Sequence, residues 1–165
     1  MSGSQREVDA VQLRIAGNSD AEGLTDLINA AFRKAESFII DRDRVDLEVV
    51  QSLFAKGEFL VADDEDALAG CVYLELRGER AYLGLLSVDP TRQKAGVGSM
   101  LMREAELHCA RAGCRFVDLR IIDLRKDNHA FYKRRGYVET GTEPFPSELD
   151  AKLPCHFVNM SKPLP

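Results

Sequence analysis

The chain has 165 residues, of which 45% are hydrophobic and 30% are charged, as in one globular domain that buries its own core. Lys and Arg number 22 against 27 Asp and Glu, so the formal net charge is −5, which argues against broad electrostatic binding to nucleic acid or to an anionic membrane. No apolar run has the length of a membrane span and no signal peptide is recognisable, so we predict a cytoplasmic single domain over 1–165 with a flexible 1–10.

The first half of the chain predicts a strand, two helices and three further strands. Ser19 followed by Glu22 has the spacing of a capping box, and apolar residues then recur at helical spacing. The last strand of this half is nearly continuous in apolar residues, as expected of a buried central strand. The predicted strands cover 11–16, 58–62, 67–76 and 81–88, and the second helix covers 45–56.

The second half predicts a strand–helix–strand crossover and two closing strands. Pro90 ends the central strand, and a helix over 98–112 leads into a buried strand over 115–122, which makes the two strands parallel neighbours. A short helix over 128–135 precedes strands over 136–142 and 155–161. The pattern therefore predicts a mixed α/β sheet of about seven strands with about four helices.

The cysteines and histidines do not indicate a metal site. No two cysteines form a C-x-x-C pair, and the three histidines do not stand near them at ligand spacing. We expect no metal and four reduced thiols, at Cys71, Cys109, Cys114 and Cys155.

The loop between the central strand and the next helix carries the clearest functional signal. It contains Gly96 and Gly98 at the start of the helix, where glycines let the backbone approach a ligand. The first N–H groups of a helix have no partner within it, which favours a phosphate or pyrophosphate there. The loop is neither a Walker loop nor a G-x-G-x-x-G turn, because no Gly-Lys-Ser/Thr follows and Leu101 occupies the third glycine position.

Three segments resemble the GNAT superfamily of N-acetyltransferases. Gln93-x-x-Gly96-x-Gly98 after an L-x-V strand end resembles its acetyl-CoA-binding motif, Q/R-x-x-G-x-G/A. The run NHAFYKRRGY from Asn128 is similar to its N…FY-x-x-x-G-F/Y segment, and the terminal M-x-K-x-L resembles the end of its last strand. The resemblance extends over 11–164. It implies a three-layer, GNAT-like fold with a mixed, mostly antiparallel seven-stranded sheet, splayed centrally and flanked by about four helices.

The same resemblance implies acetyl-CoA as co-substrate. The backbone N–H groups of 94–99 would hold the pyrophosphate, with Gln93 ordering the loop. The exposed edge of the central strand would pair with the pantetheine arm as an added strand does. The cofactor-binding residues implied in this way are Leu86, Ser87, Val88, Gln93, Lys94, Ala95, Gly96, Val97, Gly98, Ser99, Asn128 and Tyr132.

Acyl transfer to an amine needs a neutral amine, a stabilised oxyanion and a proton for the departing thiolate. The resemblance implies Tyr132 as the general acid, and the N–H of Val88 as the oxyanion donor. A purely structural aromatic role for Tyr132 is the alternative. Glu75 is a possible general base, directly or through water, although it is equally an exposed strand residue, and Asp118 and Asp123 have no better claim.

The acceptor site is expected where the segment 36–44 meets the loop 143–154, with an acidic rim suited to a cationic amine. The sequence thus predicts an N-acetyltransferase acting on a primary amine of a small molecule, with no nucleic acid or membrane partner and a possible homodimer. Two alternatives stay open. One is an acyl-CoA-binding regulator without turnover, and the other is a protein lysine or N-terminal acetyltransferase, which requires an open groove rather than a loop-capped pocket.

Overall fold

The computed structural model describes residues 11–92 and 96–165. The predictions for 1–10 and for Gln93, Lys94 and Ala95 concern residues outside that description. No helix in the described ranges combines the length and the apolar character needed to cross a bilayer.

The strands are β1 Val11–Ile15, β2 Glu58–Asp64, β3 Ala67–Arg77, β4 Arg80–Val88, β5 Phe116–Ile122, β6 Val138–Pro144 and β7 His156–Pro163. The α-helices are α1 Ala21–Glu36, α2 Leu47–Phe54, α3 Val97–Arg111 and α4 Lys126–Arg134.

The seven strands form one sheet in the order β1-β2-β3-β4-β5-β7-β6. All neighbouring pairs are antiparallel except β4 and β5, which are joined through α3 and run parallel. A parallel pair needs a crossover connection, and the α3 segment supplies it. The predicted α/β fold, with a mixed and mostly antiparallel sheet and four helices, is confirmed.

Helices cover both faces of the sheet, so the fold has three layers. On one face Leu83 packs in a buried cluster with Leu101 of α3 and Tyr132 of α4. On the other face Phe59 lies in a second cluster with Leu24 of α1 and Val50 of α2. We call these the α3/α4 face and the α1/α2 face. α1, α2 and α3 each present one apolar stripe at helical spacing, whereas α4 buries only Tyr132.

β4 and β5 separate after a short contact. They pair only from Arg80 to Tyr82, opposite Phe116–Asp118. The β3–β4 register shifts between Cys71 and Tyr73, where β4 carries one extra residue, and Leu85 there has a φ of 54°. A bulge bends its strand and increases the twist, so β4 turns away from β5 beyond this point. The predicted central splay is confirmed.

The bulge also changes which side chains face each helical layer. Before it, Leu83 packs on the α3/α4 face; after it, Leu86 and Val88 pack there. Leu85 belongs to the α1/α2 cluster, and the buried hydroxyl of Ser87 donates to the Leu85 carbonyl at 2.9 Å. The Ser87 side chain is therefore occupied within the core.

The predicted capping box at Ser19 and Glu22 is wrong. A 3₁₀ turn covers Asn18–Asp20, and Asp20 is the N-cap of α1. The Asp20 carboxylate accepts from the Gly17 N–H at 2.8 Å and is bound by both Nη atoms of Arg14 on β1, at 2.8 and 2.9 Å. That ion pair with the first strand favours Asp20 over Ser19 as the residue that ends the turn.

Candidate active site

A cavity of about 240 Å³ occupies the gap between β4 and β5. Residues 82–88 of β4 and 119–122 of β5 form its sides, α1 closes it on one face of the sheet and α4 on the other. The cavity therefore passes through the sheet from one helical layer to the other. It brings together five of the residues implied by the resemblance, namely Leu86, Ser87, Val88, Asn128 and Tyr132.

One side of this passage is an unpaired strand edge. Within the described residues, β4 has no strand partner on its β5 side beyond Tyr82. The N–H and C=O groups of an open edge can pair with another extended chain that contains amides. The geometry is that of a sheet with one strand position left open between Leu83 and Val88.

The start of α3 lies at the far end of the same edge. Gly96 is the N-cap, with a φ of 85° that favours glycine, and its carbonyl accepts the first helical bond from Met100 at 2.9 Å. The N–H groups of 97–99 consequently have no acceptor within the helix. A Cβ added at Gly98 would lie 3.8 Å from the Val88 side chain, so the helix start and the end of β4 are neighbours.

A cation stands beside this helix start. Arg135, at the end of α4, donates to the hydroxyl of Ser99 and to the carbonyl of Phe131 at 2.8 Å, and its guanidinium lies 3.5 Å from the centre of the Phe131 ring. Arg92, by contrast, is bound to Asp64 at 2.9 Å. Arg135 and the positive end of the helix together favour an anion at this position.

Tyr132 lies on α4 one turn after Asn128, so both side chains point from one side of the helix. Its ring packs edge-on against Phe131 at 5.0 Å and Tyr137 at 5.7 Å. The Tyr132 hydroxyl makes no hydrogen bond with any described residue. Among the described residues, every fully buried side-chain N or O atom has a hydrogen-bond partner. The Tyr132 hydroxyl is therefore not fully buried and reaches accessible space. Burial raises the pKa of Tyr132, which keeps the phenol protonated.

Glu75 lies outside the cavity that contains Tyr132. It is on the α1/α2 face, where it accepts from the Tyr73 hydroxyl at 2.7 Å and from Arg77 Nε at 2.8 Å. The hydrogen bonds from Arg77 and Tyr73 lower the pKa of Glu75. It borders a second cavity of about 690 Å³, which adjoins the first at Tyr82 and Leu85.

Sequence reasoning missed a buried ion pair at the end of the passage. Glu36 and Arg125 meet at 2.7 Å, with side chains only 9% and 10% exposed. Arg125 also donates twice to Asp127 at 2.9 Å and once to the Asn128 side-chain oxygen at 3.0 Å. Burial raises the pKa of Glu36, and Arg125 opposes that effect. The partners are 89 residues apart, so no local signal announces the pair.

The two segments predicted to form the acceptor site do meet. A third cavity of about 130 Å³ lies between them and adjoins the first at Glu36, Arg44 and Phe157. The loop is tied to the end of α1 because the Lys152 N–H donates to the Ile39 carbonyl at 2.7 Å. This side of the sheet is therefore a loop-capped pocket.

The charge of that pocket differs from the expected acidic rim. Its lining contains three arginines, Arg42, Arg44 and Arg120, against two acids, Glu36 and Asp43. Both acids are already paired, Glu36 with Arg125 and Asp43 with Arg33. The lining of this pocket is therefore more basic than the acidic rim that the sequence predicts. Within 11–92 and 96–165, no group of three or more His, Cys, Asp or Glu side chains is placed to hold a metal ion.

Comparison with known proteins agrees with this geometry. A family model described as the acetyltransferase (GNAT) domain matches residues 55–139, more than half of the chain. No curated protein matches the sequence significantly.

Solved structures give the same fold at low sequence identity. Ard1 from Thermoplasma volcanium has a TM-score of 0.79 at 19% identity, covering 94% of this chain and 99% of that one. The ribosomal-protein-S18-alanine N-acetyltransferase from Escherichia coli has a TM-score of 0.76 at 15% identity, covering 93% of this chain and 94% of that one. PaiA N-acetyltransferase from Thermoplasma acidophilum, in complex with coenzyme A, has a TM-score of 0.69 at 17% identity, covering 93% and 98%. At these identities the likeness establishes the fold alone.

Proposed function

We propose that this chain transfers the acetyl group of acetyl-CoA to the primary amine of a small molecule. The chain belongs to the GNAT family of acetyltransferases and is therefore an acyltransferase. The observation that carries the proposal is the passage between β4 and β5. It opens on the α3/α4 face beside a helix start and on the α1/α2 face at a loop-capped pocket, with Tyr132 between. Two reactants that approach from opposite faces can meet in it.

The α3/α4 face supplies the groups for the acyl carrier. The N–H groups at the start of α3 that have no acceptor within the helix, with Arg135 beside them, are suited to a pyrophosphate. The open edge at Leu86, Ser87 and Val88 is suited to the amides of the pantetheine arm, which would lie as an added strand. The proposed roles of Gln93, Lys94 and Ala95 concern residues outside the described ranges.

The chemistry needs no covalent enzyme intermediate. The amine nitrogen attacks the thioester carbon, and the oxyanion that forms accepts from the Val88 N–H in this proposal. The carbon–sulfur bond then breaks, and the Tyr132 hydroxyl donates its proton to the departing sulfur. A protonated phenol that has no hydrogen-bond partner among the described residues is suited to that role, and positioning supplies much of the rest of the acceleration.

Glu75 stays the proposed base. It lies on the α1/α2 face, from which the acceptor arrives, in a cavity that adjoins the passage. Since it borders a different cavity from Tyr132, it would take the proton of the ammonium through water rather than by direct contact. Its lowered pKa keeps it ionised, and the hydrogen bonds that lower the pKa also weaken it as a base.

Two observations favour this function over the alternatives. The tie between Lys152 and Ile39 caps the acceptor side, which suits a small molecule better than an internal lysine in an extended peptide. A tyrosine hydroxyl in the passage that has no hydrogen-bond partner among the described residues suits a proton donor, which a regulator that only binds an acyl-CoA does not need. A cytoplasmic location and a homodimer stay predictions.

The test is release of CoA thiol from acetyl-CoA by the purified chain, measured across a panel of small amines and of peptides with free N-termini or lysines. We expect thiol release with small amines, above the rate without acceptor, and a lower rate for Glu75→Gln. Release with peptides alone would favour the protein acetyltransferase. No release with any acceptor, together with tight CoA binding by calorimetry, would favour the regulator.

A further inference from the structure

Arg44 and Arg120 stand where the cavities on the acceptor side meet. Arg44 follows α1 and Arg120 lies on β5, and both line the passage and each of the two adjoining cavities. Each guanidinium lies over an aromatic ring, Arg44 at 5.6 Å from the centre of Phe32 and Arg120 at 4.2 Å from the centre of Phe157. Among the described residues, Arg44 makes no hydrogen bond and Arg120 makes one, to Glu143, so most N–H groups of the two stacked guanidinium groups can donate to another partner.

These two arginines differ from Arg80 of β4 in their carboxylate partners. Arg80 makes two bonds of 2.7 Å to Asp118. Arg44 forms no ion pair within the described residues, and Arg120 has a single contact of 3.4 Å with Glu143, in which both side chains are more than 40% exposed. Glu36 attracts Arg44 but is already paired with Arg125, so the carboxylates of the described residues leave much of the positive charge at the mouth unmatched.

We propose that the acceptor carries an anionic group, a carboxylate or a comparable oxyanion, next to its amine, and that Arg44 and Arg120 bind it. The inference rests on the proposed function and names its substrate class, that of amino acids and similar zwitterions. The planar guanidinium matches a carboxylate or phosphonate with two parallel hydrogen bonds. An anion bound at the mouth directs the neighbouring amine into the passage, toward the thioester.

The experiment compares acceptors that differ only by the carboxylate. Leucine is paired with isopentylamine, phenylalanine with phenethylamine, and methionine with 3-(methylthio)propylamine, with rates referred to the concentration of neutral amine. We expect kcat/KM about tenfold or more higher for the amino acid of at least one pair. Arg44→Gln and Arg120→Gln should each reduce that preference, mainly by raising the KM of the amino acid, and should lower kcat/KM more for the amino acid than for the plain amine. Arg111→Gln, at an exposed α3 position, is the matched control and should keep the preference.

The outcomes separate this inference from the proposed function. Equal kcat/KM for acid and amine in every pair, or arginine variants that slow both equally, would overturn the anion site while leaving the acetyltransferase intact. If no acceptor gives thiol release, calorimetry of the same amino acids with the CoA-loaded protein decides. Binding that is lost in the Arg44→Gln/Arg120→Gln variant supports the site even without turnover, and binding that is absent, or unchanged in that variant, overturns it.

Discussion

The two ends of the passage are built from different parts of the chain. At the α3/α4 end the groups suited to the acyl carrier are mainly backbone, from the edge of β4 and the start of α3, within some fifteen consecutive residues. At the α1/α2 end they are side chains such as Glu36, Arg44 and Arg120, supplied by separate elements. A backbone site leaves a short local pattern in the sequence, whereas a side-chain site depends on which distant residues meet.

The strongest way to break the acceptor end is to remove Arg125. Arg125→Met leaves the Glu36 carboxylate buried without its cation, so we expect the free energy of unfolding at neutral pH to fall by about 3–5 kcal/mol. Arg111→Met, at an exposed position paired with Glu104 at 3.7 Å, should change it by less than about 1 kcal/mol. Urea unfolding of both variants measures the difference.

The same variant predicts a pH dependence. The pKa of Glu36 is already raised in the folded protein, and loss of Arg125 raises it further. Protonation then favours the folded state, so the deficit of Arg125→Met should be largest above the folded-state pKa of Glu36 and should shrink as the pH falls through it. A deficit that does not depend on pH would assign the loss to packing rather than to the unpaired charge.

The middle of the passage is tested by the two neighbouring phenols. Tyr132→Phe should lower kcat about a hundredfold and leave the Kd of CoA unchanged, because the lost proton acts only as the sulfur departs. Tyr137→Phe removes a hydroxyl of the same aromatic cluster that is bound to Glu106 at 2.8 Å, and it should leave kcat unchanged. Steady-state rates with calorimetry measure both effects. Equal kcat for the two variants would remove Tyr132 from the mechanism.

The backbone end is sharpened by its two glycines. Gly96→Ala forces alanine to a φ of 85°, so the helix start shifts and CoA should bind about tenfold more weakly. Gly98→Ala adds a Cβ at ordinary contact distance, 3.7 Å from the Phe131 ring, and should leave CoA affinity close to that of the parent chain. Calorimetry of both variants tests this prediction. Equal losses would mean that space rather than backbone conformation limits the site.

The sequence predicts the backbone end of the passage better than the side-chain end. The strands and helices were predictable because periodicity reports on local backbone, whereas the central splay was predicted only from the family resemblance. The Glu36–Arg125 pair and the positive pocket were not, since 89 residues separate the partners of that pair. The cap at Asp20 was missed for a related reason, because Arg14 on another element stabilises it. The bulge at Leu85 was not predictable either, because a continuous apolar run has no alternation of polar and apolar residues that one extra residue would interrupt.

That extra residue makes the length of β4 as important as its composition. Removing one position between Gly84 and Leu86 would restore strict two-residue alternation and exchange the faces of everything downstream. The Ser87 hydroxyl would enter the apolar layer under α3, while the Val88 side chain would leave it. We therefore expect this stretch to tolerate conservative replacement of side chains but neither insertions nor deletions, so that true relatives align across it without a gap.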